Sequence, residues 1–296
     1  MKVFVTGPGG YIGGSVAARL AEARHAVRGP AAAEAVRRFG VVPVLGGLDD
    51  GGVLAAEEAK RADAVANAAN SDRRGAVEAL AEALAGSGKP LLHTSGSSVV
   101  GDDARGDSSD AVFDDDTPFE PTPNRAARAA IDRFVAGAAD RGVRSEVLCN
   151  ALIHGRGLGP REDSIQIPAL VRQAKMSGVP RHAGRGLNVW STVRIEDVAD
   201  LYRLVLESPD ARGFMFVEDC GASFRDMAAA VGRRLGLGEP QPWPIEDAIR
   251  EWGFDRATCA LGSNSRVRGR RARALGWAPR HASVLDWIAR EMPVPD

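Results

Sequence analysis

The glycines at positions 7, 10 and 13 constrain this chain more than any other feature. They follow a short β-branched and aromatic run, Lys2 to Val5. They precede a segment in which Ile12, Val16, Leu20 and Ala23 recur at helical spacing. Strand, Gly-x-x-Gly-x-x-Gly turn and helix, in that order, form the context in which such a turn holds a dinucleotide. Gly7 allows the tight turn, Gly10 lets backbone approach a pyrophosphate, and Gly13 lets the helix pack on the strand. The helix start, at Tyr11 and Ile12, then offers unpaired N–H groups and a positive dipole end to phosphate. A glycine-rich turn that binds nothing is the alternative.

Strand-like and helix-like segments alternate through residues 1–157. Strands are expected at His25 to Arg28, Val41 to Leu45, Ala64 to Ala68, Pro90 to Thr94 and Ser145 to Ile153. The alternation predicts an α/β fold, a Rossmann-like doubly wound parallel sheet with its ligand beyond the C-terminal strand ends. Residues 158–296 read as a smaller, mainly helical lobe over the sheet, continuous with it, with short strands near Val189 and Phe214–Val217. Gly101 to Asn124, acidic and proline-bearing, reads as a partly mobile flap near the site.

Acids and bases nearly balance, for a net charge of −1, which argues against a nucleic-acid or membrane-surface binder. Cys149, Cys220 and Cys259 are widely spaced and form no CxxC pair. That is poor material for a disulfide framework or a metal site, and it points to a reducing cytoplasm. No charged-then-apolar leader opens the chain, and no apolar run is long enough to span a bilayer. The expected partner is a small-molecule substrate, with a homodimer left open as the assembly.

Seven segments, in order, resemble the extended short-chain dehydrogenase/reductases, also called NAD-dependent epimerase/dehydratases. Thr6 to Gly13 resembles that family's TGxxGxxG, Gly46-Gly47-Leu48-Asp49 its G-D-L element, and Ala62 to Val65 its ADAV strand. His93 to Gly101 is similar to the SSxxVYG strand end, and Leu152 to Gly157 to xxVYGxG. Arg194 to Ala199 is similar to HVDDVA, and Leu275 to Pro279 to the C-terminal LGWxP. The resemblance implies NAD or NADP, with Gly7, Gly10, Tyr11, Ile12, Gly13, Leu48, Ala68, Ala69, Asn70, Thr94 and Arg128 around it.

The departures concern chemistry. Family members use a YxxxK dyad in which tyrosine transfers the substrate proton and lysine lowers its pKa and holds ribose. Counting back from Asp132 puts Arg128 at the lysine and Asn124 at the tyrosine. Neither can act as a proton-transfer acid near neutrality. The chain's tyrosines, Tyr11 and Tyr202, are followed four residues on by Ser15 and Leu206, so the dyad is absent. Gly96 stands at the family's Ser/Thr position, with Ser95, Ser97 and Ser98 beside it. The strand-two connection after Arg28 is short, and Gly47 stands where an Asp usually meets adenine; Arg28 itself reads as a 2′-phosphate contact or an exposed strand residue.

The candidate catalytic set is therefore Ser95, Ser97, Asn124, Arg128 and His154, with Asn150, Ser164, Gln166 and Trp190 around the substrate. Each has a plainer reading. Arg128 could be a solvated helix residue, Asn124 an N-cap, His93 and His154 buried structural histidines, and Trp190 core. The Arg266 to Arg271 run reads as a solvated helix face. Three functions compete: an atypical NAD(P)-dependent oxidoreductase or epimerase, a non-redox cyclase, isomerase or lyase, and a dinucleotide or metabolite sensor.

Overall fold

A computed structural model describes residues 1–30, 33–44, 53–281 and 283–294. Strands β1 (Lys2–Thr6), β2 (Ala26–Pro30), β3 (Val41–Val44), β4 (Ala64–Asn67) and β5 (Pro90–Gly96) come first. Between and after them lie helices α1 (Tyr11–Glu22), α2 (Ala33–Arg37), α3 (Val53–Arg61) and α4 (Arg74–Ala83). Next are β6 (Phe113–Asp114), α5 (Ala126–Ala136), β7 (Arg144–Asn150), β8 (Leu152–His154) and α6 (Gln166–Ser177). Then come β9 (Arg181–Ala183), β10 (Val189–Arg194), α7 (Ile195–Glu207), β11 (Gly213–Val217), β12 (Cys220–Ser223) and α8 (Phe224–Arg234). The chain finishes with β13 (Gln241–Trp243), α9 (Ile245–Trp252), β14 (Val267–Arg268), α10 (Arg270–Ala274) and α11 (Val284–Arg290).

Seven parallel strands form the main sheet in the order β11-β7-β5-β4-β1-β2-β3. The order reverses direction between β1 and β4, which opens a crevice at their carboxyl ends. Side chains alternate across the sheet, as strand geometry requires. Val3, Val5, Ala66 and Leu148 face α1 and α7, whereas Phe4, Val65 and Leu91 face the helices on the opposite side. The sheet is parallel and covered on both faces, as the alternating pattern implies.

The segment after residue 158 does more than form a lobe. It supplies β11, the seventh strand, and α7, whose Val198, Leu201, Tyr202 and Val205 join the core under α1. Phe214–Val217, expected as a strand of the lobe, thus lies in the main sheet. A separate core of α6, α8, α9 and α11, built on Leu170, Phe224, Met227, Trp252 and Ile288, stands over the crevice. Two of the separated motifs meet here. The Trp277 indole donates to the Asp197 carbonyl at 3.0 Å, and the Asp197 carboxylate accepts from the backbone of Arg280 at 3.0 Å and His281 at 3.2 Å.

The acidic Gly101–Asn124 stretch is a tied strap, not the mobile flap its composition suggested. Asp102 accepts from Asn264, Asp115 from the backbone of Phe216 and Arg271, and β6 pairs with β14. The basic run is its counterpart: Arg270 meets Asp114 at 3.0 Å and Arg271 meets Asp116 at 2.5 Å. Among the described residues, no helix is long and apolar enough to cross a membrane.

One buried group carries a stability prediction. Glu146, on β7, is 1 % exposed, and neither carboxylate oxygen has a hydrogen-bond partner. Burial pushes its pKa up to about 8; Arg271 opposes the shift and Asp115 adds to it. Between the ordinary value of 4.5 and about 8 the folded chain keeps a proton that the unfolded chain releases. Stability conferred at low pH is therefore lost as pH rises through that window, by about 1.4 kcal/mol per unit. Glu146→Gln should flatten this loss and be more stable than the parent at pH 8. Thermal melts of both proteins across the window check it; parallel pH profiles would show that Glu146 is not the source.

Candidate functional site

The glycine turn is shaped by packing. Gly7 has φ +67, a left-handed conformation that side chains disfavour, and a Cβ there would stand 2.8 Å from the Ala68 carbonyl oxygen. A Cβ on Gly13 would overlap the Gly7 carbonyl, whereas one on Gly10 would lie 3.2 Å from that oxygen. Helix α1 begins without a side-chain cap and without an acid in its first turn. Its leading N–H groups are thus left for a ligand, and an anion there gains from the dipole.

Tyr11 and Ile12 begin the wall of a cleft of about 710 Å³ at the carboxyl ends of the central strands. Ala68, Ala69 and Asn70 after β4 line it, as do Thr94 to Ser98 from β5 and its 3₁₀ turn, Arg128 from α5, and Asn150 from β7. Ser164, Gln166 and Trp190 close the far side. Most residues expected around cofactor and substrate therefore meet in one place. Leu48, Gly47 and the rest of the G-D-L element lie outside the described residues, as does the Arg28 side chain.

Beneath the floor runs a buried polar chain. Thr6 Oγ1 donates to Asn67 Oδ1 at 2.5 Å, which turns the Asn67 amide nitrogen toward His93 Nδ1 at 3.0 Å. That nitrogen can only donate, so Nδ1 accepts and the ring proton sits on Nε2, 3.7 Å from Asp132. Ser95 Oγ donates to the other Asp132 oxygen at 2.7 Å. Burial pushes His93 down to about 4 and Asp132 up to about 6. Near neutrality the histidine is uncharged, and Ser95 is committed to the floor. Ser97 is likewise engaged, receiving the Ser265 hydroxyl at 2.7 Å.

Arg128 holds the centre of the wall. Its guanidinium grips Asp72 in a two-pronged contact, Nε at 2.8 Å and Nη2 at 2.6 Å, while Nη1 donates to Ser98 Oγ at 3.3 Å. That contact holds the Asp72 carboxyl below its usual range and raises the guanidinium further, so both stay charged. A Cβ on Gly96 would lie 3.7 Å from Arg128 Nη1, so the missing side chain leaves room for the arginine. Ser98, not Ser95 or Ser97, is the hydroxyl fixed by the cation.

Two residues of the expected catalytic set stand elsewhere. Asn124 is exposed; its amide donates to Cys259 Sγ at 2.7 Å and accepts from Thr122 at 2.8 Å. It does not line the cleft. His154 is fully buried behind Ile153, with its ring 5.7 Å from that of Trp287. It belongs to the core and does not line the cleft. Tyr202 is also buried, donating to Thr94 at 2.8 Å and accepting from Asn150 at 3.3 Å, and burial pushes its hydroxyl up to about 12.

Sequence reading missed one whole wall. Trp252, the last residue of α9, and Gly253 to Arg256 after it reach across to the cleft, and Asp255 pairs with Arg125 at 2.9 Å. Gly253, with φ +79 directly after the helix, is the only local signal that the chain turns back here. The remaining contacts join residues more than a hundred positions apart, which periodicity cannot register.

Comparison with known proteins decides what this cleft descends from. Residues 3–216 match the description "NAD dependent epimerase/dehydratase family". The chain belongs to that family. Among curated relatives, an oxidase of Acremonium sp, ucsJ, is 30% identical over 94% of this chain and 92% of its own. An uncharacterized protein of Saccharomyces cerevisiae is 28% identical over 97% and 98%. A dTDP-glucose 4,6-dehydratase from Bacillus anthracis, solved with NAD, superposes with a TM-score of 0.75. It is 16% identical and covers 98% of this chain and 97% of its own. A UDP-glucuronic acid 4-epimerase from Bacillus cereus, with UDP-glucuronic acid and NAD, gives 0.74 at 15% identity, covering 98% of each chain. Such structural likeness shows a shared Rossmann fold and leaves the chemistry to the site's own residues.

Proposed function

We propose that this chain is an NAD(P)-dependent oxidoreductase or epimerase-like enzyme that acts on a small molecule without a tyrosine–lysine dyad. The residues fit the cofactor the family implies. The Gly7–Gly13 turn and the uncapped start of α1 suit a pyrophosphate. Asn150 Oδ1, buried in the cleft wall without a partner, suits a donor from the cofactor or substrate. When bound, the cofactor supplies hydride transfer.

The chain's own part follows from Arg128. Its fixed charge, braced by Asp72, lies beside the space over Gly96 and favours negative charge developing on a substrate oxygen. Ser98 accepts from Arg128 and keeps its own hydroxyl proton to donate to that oxygen. A guanidinium does not give up a proton, so net proton transfer falls to water entering the cleft. The observation that carries this reading is that the Arg128–Ser98 pair lines one cleft with Tyr11 and Ile12, the uncapped start of α1 that follows the glycine turn.

The test is calorimetric titration of purified protein with NAD, NADH, NADP and NADPH. Saturable binding of at least one is expected, and a flat response to all four would overturn the proposal. Because Asn124 lies outside the cleft, Asn124→Ala should leave cofactor affinity within about threefold of the parent, well under 1 kcal/mol. A larger loss in the same titration would return Asn124 to the site.

A further inference from the structure

We infer that the substrate of this cleft is an uncharged carbonyl compound with an apolar ring body, not a sugar nucleotide. The inference deepens the proposed function and rests on Arg128 and Ser98 meeting the reacting oxygen. It comes from two large apolar side chains left in water. Ile165, directly before α6, is 58 % exposed, and Phe254, two residues after α9, is 61 % exposed. Both line the cleft, although they come from different elements of the lobe. Apolar area that no protein group covers is stabilised when a ligand covers it, and on a concave wall the fitting ligand is a small molecule.

The rest of the wall agrees. Ile153 and the rings of Trp190 and Trp252 line the same space. Trp190 has already given its one donor, Nε1–H, to the Ser263 carbonyl at 2.9 Å, so it offers the cleft only apolar ring. Aromatic walls of this kind favour a flat ring that packs against them face or edge. Two of the three lining cations are neutralised, Arg125 by Asp255 and Arg128 by Asp72. Among the described residues, Arg256 is the third and has no carboxylate partner, but it is shared with a neighbouring cavity whose lining includes Glu162 and Asp163. A substrate bearing a diphosphate would lose the hydration of two charges there with one such arginine to answer them. An uncharged ring body loses no hydrated charge on entry, and its carbonyl oxygen is the end that Arg128 and Ser98 fix.

The experiment is calorimetric titration of methyl naphthyl ketone, an uncharged aromatic probe, and of UDP-glucuronic acid. The proteins are the parent, Ile165→Ser/Phe254→Ser and Phe254→Leu, each with and without the preferred nicotinamide dinucleotide. Saturable binding of the ketone to the parent is expected, tighter than that of UDP-glucuronic acid. The serine pair should weaken ketone binding about tenfold or more, and Phe254→Leu should keep most of it. Both serines replace exposed side chains, so Tm should match the parent's; if the pair melts early, Phe254→Ser alone carries the comparison. Met176→Ser, which removes an exposed side chain that lines neither cavity, should bind as the parent does. No saturable ketone binding, equal affinity in the serine pair, or tighter binding of UDP-glucuronic acid would overturn the inference. So would a parent dimer in sedimentation that the serine pair turns into monomer, because Ile165 and Phe254 would then belong to a second copy of the chain. The dinucleotide titrations keep the two readings apart. Dinucleotide binding without ketone binding sinks only this inference, and ketone binding without any dinucleotide binding sinks only the cofactor reading.

Discussion

Gly13→Val is expected to cost about 3 kcal/mol or more and to lower Tm on the order of 10 °C. The atom that a Cβ would strike is the Gly7 carbonyl, which is backbone, so no rotamer change relieves the overlap. Valine adds a second branch in the same place. Moving the carbonyl in turn disturbs Gly7, already close to Ala68, and hence the junction of β1 with β4. Gly9→Ala is the matched control, because a Cβ at Gly9 meets nothing within 4 Å. Thermal melts should separate the two variants clearly. A Gly13→Val protein as stable as Gly9→Ala would mean that the close approach of α1 to the turn is not required.

The second large effect is on turnover. Arg128→Ala should reduce kcat/KM by about 10²–10³-fold, the usual loss when a fixed electrostatic donor is removed. It also leaves Asp72 without its cation and Ser98 without its donor. Arg128→Lys should recover part of the loss, since a point charge remains but the two-pronged grip does not. Tyr202→Phe should behave differently. Its hydroxyl bridges Thr94 and Asn150 inside the core, so removal costs about 1 kcal/mol of stability and leaves the rate nearly unchanged. Steady-state kinetics on the three variants decide between these. A dead Tyr202→Phe enzyme beside an active Arg128→Ala would place the chemistry elsewhere.

These contrasts show how far the sequence reached. The strand–turn–helix at residues 2–22 was legible because its spacing is imposed locally, by the turn and by the 3.6-residue period. Thr94, Asn150 and Arg128, expected near the ligand by resemblance, line the cleft because the first two lie toward the carboxyl ends of β5 and β7 and the third in the first turn of α5. His154 does not, although it ends a strand at the crevice side. Strand alternation sends one residue to the ligand and its neighbour to the core, and here Ile153 takes the wall while His154 meets Trp287. Asn124 misled for a different reason. It stands just before α5, where Cys259 from the far end of the chain draws it out of the cleft. Glu146 gave no sign of its unusual state, because a charged residue in a strand reads as solvent-facing until the sheet covers both sides.

Side-by-side calorimetry of the parent and Gly10→Val against the preferred nicotinamide dinucleotide, with Tm recorded for both, is the decisive measurement. A Cβ at Gly10 comes no nearer than 3.2 Å to any neighbour, so the fold tolerates the substitution with a small shift. The added branch nonetheless occupies the space through which a pyrophosphate reaches the backbone. The expected result is comparable Tm values with affinity lost by about 100-fold or more in Gly10→Val. Equal affinity in two equally stable proteins would contradict the account, by showing that the dinucleotide does not lie on this turn.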